Sequence, residues 1–427
     1  MAIPPWTVEL LRRGLSDVAR RASEPETIEK LKNQASEILH DLPETAARGI
    51  DAVMRGAEAG KKKVEKWSRK HTAIAIPMLN ASGVLIDERG TGVPLASNVL
   101  EVGRELMSGD VIGGAALEDR LAHRLQRLIP GDEHQVAVTS SFSSALTALS
   151  LLIQQRQLVV HRKHAVRLPD GRPLPEAFGI LVPVIQEVGS VDRIETSDFD
   201  GLDSFCAIIA DTGHEPIRLM DFAGRDAKQA VVLPVGTVTE SPESQIPSAA
   251  AMLSAGADFV VLPGDGVCGG PGCGLLIGHK SDIEKIRDST AWPALAASDA
   301  VAAMMAVALE TAASDVESIP VMALLATSEE NLRGRAERMA TRLSGSDSVR
   351  TCQVTANDAK FTSDGRWRFP SRQLRLRHAS MKAVQWQDAL REDLPAVIVG
   401  VDGEDVIVDL RWIAAANDNR LAESLSG

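Results

Sequence analysis

Four serines crowd into the run Ser140-Ser141-Phe142-Ser143-Ser144, directly after the strand-like VAVT at 136–139 and ahead of the helical pattern SSALTALSLLIQQ at 143–155. A strand giving way to a helix there leaves free backbone N–H groups beside the hydroxyls, an arrangement that can hold an oxyanion. The same residue types also serve as plain helix caps, and the local pattern is equally consistent with that role. A second chemical candidate is the glycine-rich run PGDGVCGGPGCG at 263–274, which carries Asp265, Cys268 and Cys273. The two thiols lack a second pair of ligands, and they read as small apolar filler rather than as a zinc site. The third is the lysine-rich run GKKKVEKWSRKH at 60–71, where Lys61, Lys62 and Lys63 could meet phosphate, although a lysine-rich helix end is more often only solvated.

These residues need a scaffold, and the chain is long enough to supply one. Its 427 residues predict two or three compact units, and 44% hydrophobic with 24% charged residues is ordinary globular composition. No apolar run approaches the roughly 20 residues needed to span a bilayer, and the opening MAIPPWTVELLRRGL lacks a signal-peptide core. With four scattered cysteines this reads as a cytoplasmic chain without a disulfide framework. The net charge of -12 excludes a generally basic, nucleic-acid-coated surface. The charge is uneven, however: residues 1–71 balance at +3 and the remainder at -15, so a polyanion would meet the N-terminal segment first.

Three textures follow one another along the chain. Residues 1–73 read as an N-terminal helical segment, with Leu10, Leu11, Leu15 and Val18 at helical spacing and a capping pattern at SEPE, 23–26. Residues 74–320 alternate short Val- and Ile-rich runs with helical stretches. VAVTSS, LVVH, FCAIIAD, AVVLPVG, DFVVLPG and GLLIGH are the strands, and their alternation with helices predicts an α/β domain whose mostly parallel sheet is covered on both faces. Ligands of such sheets bind beyond the carboxyl ends of the strands. Residues 321–427 read as a smaller α+β domain, with a helix near 328–343 and a hairpin from PAVIVGV to DVIVDLRW across the Asp402-Gly403 turn.

Four stretches in order carry a family likeness: LNASGVLIDERGTGVPLA at 79–96, PGDEHQVAVTSSFSSALTALSLL at 130–152, QEVGSVDRI at 186–194 and GADFVVLPGDGVCGGPGCGLLIGHKSDIEKIR at 256–287. Together with VGVDGEDVIVDLRW near the C-terminus they resemble the bacterial selenocysteine synthases, the L-seryl-tRNA(Sec) selenium transferases, over roughly residues 75–415. The resemblance implies the aminotransferase-like fold type I of pyridoxal-phosphate (PLP) enzymes, with a seven-stranded sheet. It further implies PLP as cofactor and a homodimer or larger homo-oligomer, with tRNA a possible partner through the N-terminal basic segment. By the same resemblance the cofactor-binding positions are Ser140, Ser141, Ser143, Asp265, Gly269 and Gly270.

The chain departs from the family where the chemistry is done. The lysine that carries the cofactor in the family's S-G-D-K is Gly266 here, and no lysine occurs between Ala230 and His279. The aspartate of the family's VVTDLGSG is replaced by Pro234, which can neither accept nor share the ring-nitrogen proton. Where the family has arginines, this chain reads GGAALED with Glu118, and Ala294, Ala297 and Ala300 replace two arginines and a lysine. The expected function is therefore that of a catalytically degenerate homologue, with no catalytic residue assigned, acting by binding a ligand or a partner such as an active paralogue. One alternative is an active enzyme with a displaced lysine, Lys163 in VVHRKHAVRL, flanked by His161 and His164 as stacking or acid/base groups; RKH also reads simply as a solvated connection. The other is a non-catalytic tRNA binder.

Overall fold

In the computed structural model the described residues are 74–427, apart from 88–92, 112, 114, 130, 154, 169–170, 180–184, 241–245 and 364–366. The chain divides into two units, Met1–Ile76 and Pro77–Gly427. The expected N-terminal helices and the lysines at 61–63 lie outside the described residues, as do the side chains of Ala115, Ala116, Glu118 and Asp119 in GGAALED. No helix among the described residues is long and apolar enough to cross a membrane.

The second unit opens with strands β1 (Met78–Ala81) and β2 (Val84–Ile86), then helices α1 (Ser97–Ser108) and α2 (Ala115–Gln126). An alternating series follows: β3 (His134–Thr139), α3 (Phe142–Leu152), β4 (Gln157–His161), α4 (Leu174–Gly179), β5 (Ile185–Val188), β6 (Ser204–Ala210), β7 (Asp226–Val232), α5 (Ala249–Ser254), β8 (Phe259–Pro263) and β9 (Gly274–His279). Five helices lead onward, α6 (Lys280–Arg287), α7 (Trp292–Leu295), α8 (Asp299–Ser314), α9 (Pro320–Ala326) and α10 (Glu329–Ser344). The chain closes with β10 (Val349–Thr362), β11 (Arg368–His378), α11 (Ala383–Arg391), β12 (Ala396–Asp402), β13 (Asp405–Asp409) and α12 (Asp418–Leu425).

Seven strands form one sheet in the order β3-β9-β8-β7-β6-β4-β5, parallel except for β9, which runs antiparallel to both β3 and β8. Its central strands are near-continuous apolar runs because both faces are buried. Val136, Val138, Val231, Leu233, Val260, Leu262, Leu275 and Ile277 face α8 and α2, while the alternate residues Ala137, Ala230, Val232, Phe259, Val261 and Leu276 face α3 and α6. This is the mostly parallel sheet, covered by helices on both sides, that the alternation of strands and helices implies.

The other sheet has six strands in the order β1-β12-β13-β11-β10-β2. The β12–β13 hairpin turns at Asp402 and Asp405 as its Asp-Gly signal predicts, with Gly403 at φ +60°. Strands β1 and β2 pair with β12 and β10, so the chain enters this sheet before it enters the seven-stranded one. The consequence is functional: β2 and β10 come to stand opposite the carboxyl edge of the larger sheet.

Candidate functional site

Where β3, β8 and β7 end at one edge of the sheet, with the start of β9 between β3 and β8, the chain leaves a cavity of about 300 Å³. Its walls are the β3–α3 turn (Ser141, Phe142, Ser143), the segment after β7 (Pro234, Val235) and the segment from Pro263 to Val267, with Leu85 and Ile86 of β2 and Phe361 of β10 facing them. Leu85, Val235, Val267 and Phe361 are buried members of one apolar cluster that α9 completes through Val321, Met322 and Leu324. The position is the one expected for a ligand of a parallel sheet, outside the carboxyl ends of the strands.

Local chemistry explains the serine turn. Ser141 is the N-cap of α3, accepting the Ser144 N–H at 3.1 Å, and the Ser144 hydroxyl lies 2.9 Å from those of both Ser140 and Ser141. Capping and lining thus coincide at Ser141. The turn can lie this close to the sheet because residue 274 of β9 is glycine: a Cβ there would sit 2.4 Å from the Ser141 carbonyl oxygen and 2.8 Å from the Phe142 Cα. Ser140 is exposed, donates its backbone N–H to Leu295 at 2.8 Å, and is not part of the cavity wall.

Of the other expected positions, Asp265 and Gly266 line the cavity. Asp265 is exposed, yet the apolar atoms around it strip hydration and push its carboxyl above the ordinary carboxylate range, against a bond from its own backbone N–H. Gly269 and Gly270 stand away from the wall. A Cβ on either would collide with Ile319 or Met305, and their N–H groups tie the loop to Gly266 and Gly264 at 3.1 and 3.0 Å. Cys268 and Cys273 are buried; loss of hydration raises both thiols, Cys273 to about 12, and the Cys268 Sγ rests on the Gly236 carbonyl at 3.2 Å. They pack and do not ionise.

The RKH segment forms a short turn after β4 and contributes nothing to the cavity wall. The Lys163 ammonium is 2.9 Å from Glu215, which holds that carboxyl below its usual range. His161 accepts the Lys163 N–H on Nδ1 at 3.1 Å, which leaves the Nε2 proton to donate to Asp198 at 3.0 Å. His164 is buried with Nδ1 2.8 Å from the Ala210 carbonyl, and burial holds its pKa down at about 4. Ala294 is exposed, Ala297 donates its N–H to Val138 beside the end of β3, and Ala300 is buried on α8.

One residue that local pattern did not single out reaches the serine turn. Arg172, half-buried, donates from a guanidinium nitrogen to the Ser143 Oγ at 2.7 Å. It is carried there by a tight loop closed by Leu168 N–H to the Arg172 carbonyl at 2.8 Å and Gly171 N–H to the Leu168 carbonyl at 2.9 Å. The Asp170-Gly171 pair marks that loop as a turn in the sequence, but nothing local says which hydroxyl the arginine will meet.

The PLP implied by the sequence resemblance fits this cavity at one end only. Ser141, Ser143, the first turn of α3 and Arg172 suit its phosphate. At the other end, Gly266 offers no amine to the aldehyde, and Pro234 stands on the wall where the ring nitrogen would need an acid.

Comparison with known proteins agrees with the fold and with the sequence resemblance. Residues 238–414 match the family model described as L-seryl-tRNA selenium transferase. The L-seryl-tRNA(Sec) selenium transferase of Clostridium botulinum (strain 657 / Type Ba4) is 22% identical over 70% of each chain. That of Carboxydothermus hydrogenoformans is 23% identical over 95% of each. Among solved structures, D-glucosaminate-6-phosphate ammonia-lyase superposes with a TM-score of 0.58 at 14% identity, covering 82% of this chain and 95% of that one. The sheet and these likenesses lead to one conclusion: the chain has the fold of type I PLP enzymes and is similar in sequence to the L-seryl-tRNA(Sec) selenium transferases.

Proposed function

We propose that this protein is a catalytically silent member of the selenium transferase group that acts by binding, through the cavity at the carboxyl edge of its sheet or through a partner chain. The observation that carries the reading is the pair Gly266 and Pro234 on the cavity wall. Imine chemistry with PLP requires an amine at the aldehyde and an acid at the ring nitrogen, so that the ring withdraws electrons from the substrate. Glycine and proline have neither group. Lys163 does not make good the loss, because its amine is engaged with Glu215 and its residue is not part of the wall.

What remains is a binder: serine hydroxyls and a helix N-terminus at one end of an apolar cavity, with Asp265 at the other side. Following the family resemblance, the working assembly is a homodimer or a pairing with an active paralogue to which this chain lends cavity residues. The test is an absorbance titration of the purified protein with PLP, followed by borohydride reduction and peptide mass mapping. The spectrum should remain that of the free aldehyde, and no peptide should gain the mass of a reduced adduct. A stoichiometric adduct on Lys163 or any other single lysine overturns the reading.

A further inference from the structure

We propose that the cavity takes an organic cation, with the charged nitrogen held beside Asp265 and an apolar ring or chain buried against the rest of the wall. The inference rests on the reading of the chain as a non-covalent binder and adds the chemical class of what it binds.

The charge follows from the residues on the wall. Asp265 is the one ionisable residue that lines the cavity, and no lysine, arginine or histidine stands beside it there. Its side chain caps no backbone group of the short turn that it opens. The bond that favours its charged form comes from its own backbone N–H, while loss of hydration works the other way. A neutral occupant would strip more water from this carboxylate and return nothing, whereas a cation replaces the lost interaction. Gly266 adds to this. A Cβ on that residue would meet no atom within 4 Å, so there is open space at the position that follows Asp265, and glycine brings no charge to it. The positive charge is left for the ligand to supply.

The body of the ligand follows from the rest of the wall. Leu85, Val235 and Val267 are aliphatic, and Phe142 and Phe361 add aromatic surface. Burying an apolar body against them is favourable. Aromatic rings also attract a cation, and that attraction needs no N–H donor. A quaternary ammonium therefore suits the site as well as a protonated amine does. About 300 Å³ is room for one ring or a short chain carrying such a group.

The probes are benzyltrimethylammonium, which has no N–H and cannot form an imine, benzyl alcohol as a neutral counterpart, and benzoate as the anion. Dissociation constants are measured by titration calorimetry on the full-length protein, and competition between the cation and benzyl alcohol shows whether they share one site. Benzyltrimethylammonium should bind at least about fivefold tighter than benzyl alcohol, and benzoate more weakly than either. Added salt should weaken the cation and leave the alcohol unchanged. Asp265→Asn keeps the shape of the side chain and removes its charge. It should bring the cation to within about twofold of the alcohol, whose own affinity stays as it was. Thermal unfolding checks that the variant folds; if it does not, the competition and salt series on the unaltered protein decide. Equal affinity for cation and alcohol, failure of the cation to displace the alcohol, no binding of the cation at millimolar concentration, or indifference to Asp265→Asn overturns the proposal. An adduct trapped from PLP would end the non-covalent reading while leaving the Asp265-dependent preference for a cation in place, so the two failures are distinguishable.

Discussion

Gly266 is informative for the shape of its backbone as well as for the side chain it lacks. Its φ is +65°, and a Cβ built there meets no atom within 4 Å. A lysine would therefore find room but would have to adopt a left-handed backbone, at a cost of about 1 to 2 kcal/mol. Gly266→Lys is expected to lower the unfolding free energy in urea by about that amount. With PLP and a seryl-tRNA substrate supplied, it should leave selenium transfer at background, because Pro234 still offers no acid to the ring. Recovery of turnover in this single variant would show that the ring acid is supplied from elsewhere. Gly266 and Pro234 were legible as residue identities inside the motifs that carry the resemblance. Arg172 was not, because its partner Ser143 is 29 residues away and only the folded chain brings them to 2.7 Å.

At the scale of elements, period and turn chemistry went far. The runs around Val136, Leu158, Phe205, Val231, Phe259 and Leu275 all became strands of the seven-stranded sheet, because residues buried on both faces leave uninterrupted apolar sequence. Strand β10 was not read as a strand, and its sequence VRTCQVTANDAKFT explains why: much of it is exposed or half-buried, so no clean alternation signals a sheet. The β3–α3 turn depends on a partner element in a way its own residues do not declare. Adding a methyl at Gly274 places carbon 2.4 Å from a backbone carbonyl oxygen and 2.7 Å from the Thr139 hydroxyl, contacts that only a backbone shift relieves. Gly274→Ala is expected to cost about 1 to 3 kcal/mol in denaturant unfolding. An unchanged unfolding midpoint would show that the turn does not need this close approach.

For the whole molecule, the decisive contacts join the C-terminal hairpin to the helices that follow the larger sheet. Arg411 is buried, and its guanidinium donates to the carbonyls of Leu324 at 3.2 Å and Thr327 at 2.7 Å, at the end of α9, and to that of Pro370 in β11. Asp409, fully buried, accepts from Ser371 at 2.7 Å, Gln373 at 2.9 Å and the Arg411 backbone N–H at 2.9 Å. Burial raises the Asp409 carboxyl and lowers the Arg411 guanidinium, each in the direction that disfavours its charge. Since α9 packs into the apolar cluster behind the cavity, this arginine holds the cavity wall from a distance. Arg411→Ala leaves several buried carbonyls without a donor and is expected to cost about 3 kcal/mol or more, read as a lowered unfolding midpoint in guanidinium chloride. A loss below about 1 kcal/mol would mean that water or neighbouring groups replace the arginine.

The amino-acid sequence by itself determined the succession of strands and helices, the motif order in which the chain resembles the selenium transferases, and the presence of glycine at 266 and proline at 234. Those are properties of local period and residue identity, which need no knowledge of what lies across the fold. The tertiary structure alone decided that β2 and β10 close the cavity opposite the sheet edge, that Lys163 spends its charge on Glu215, and that Arg172 meets Ser143. Each of these joins segments distant in sequence. Which of them meet is set by strand order and by the burial of whole faces, quantities that belong to the packed molecule and to no single stretch of it.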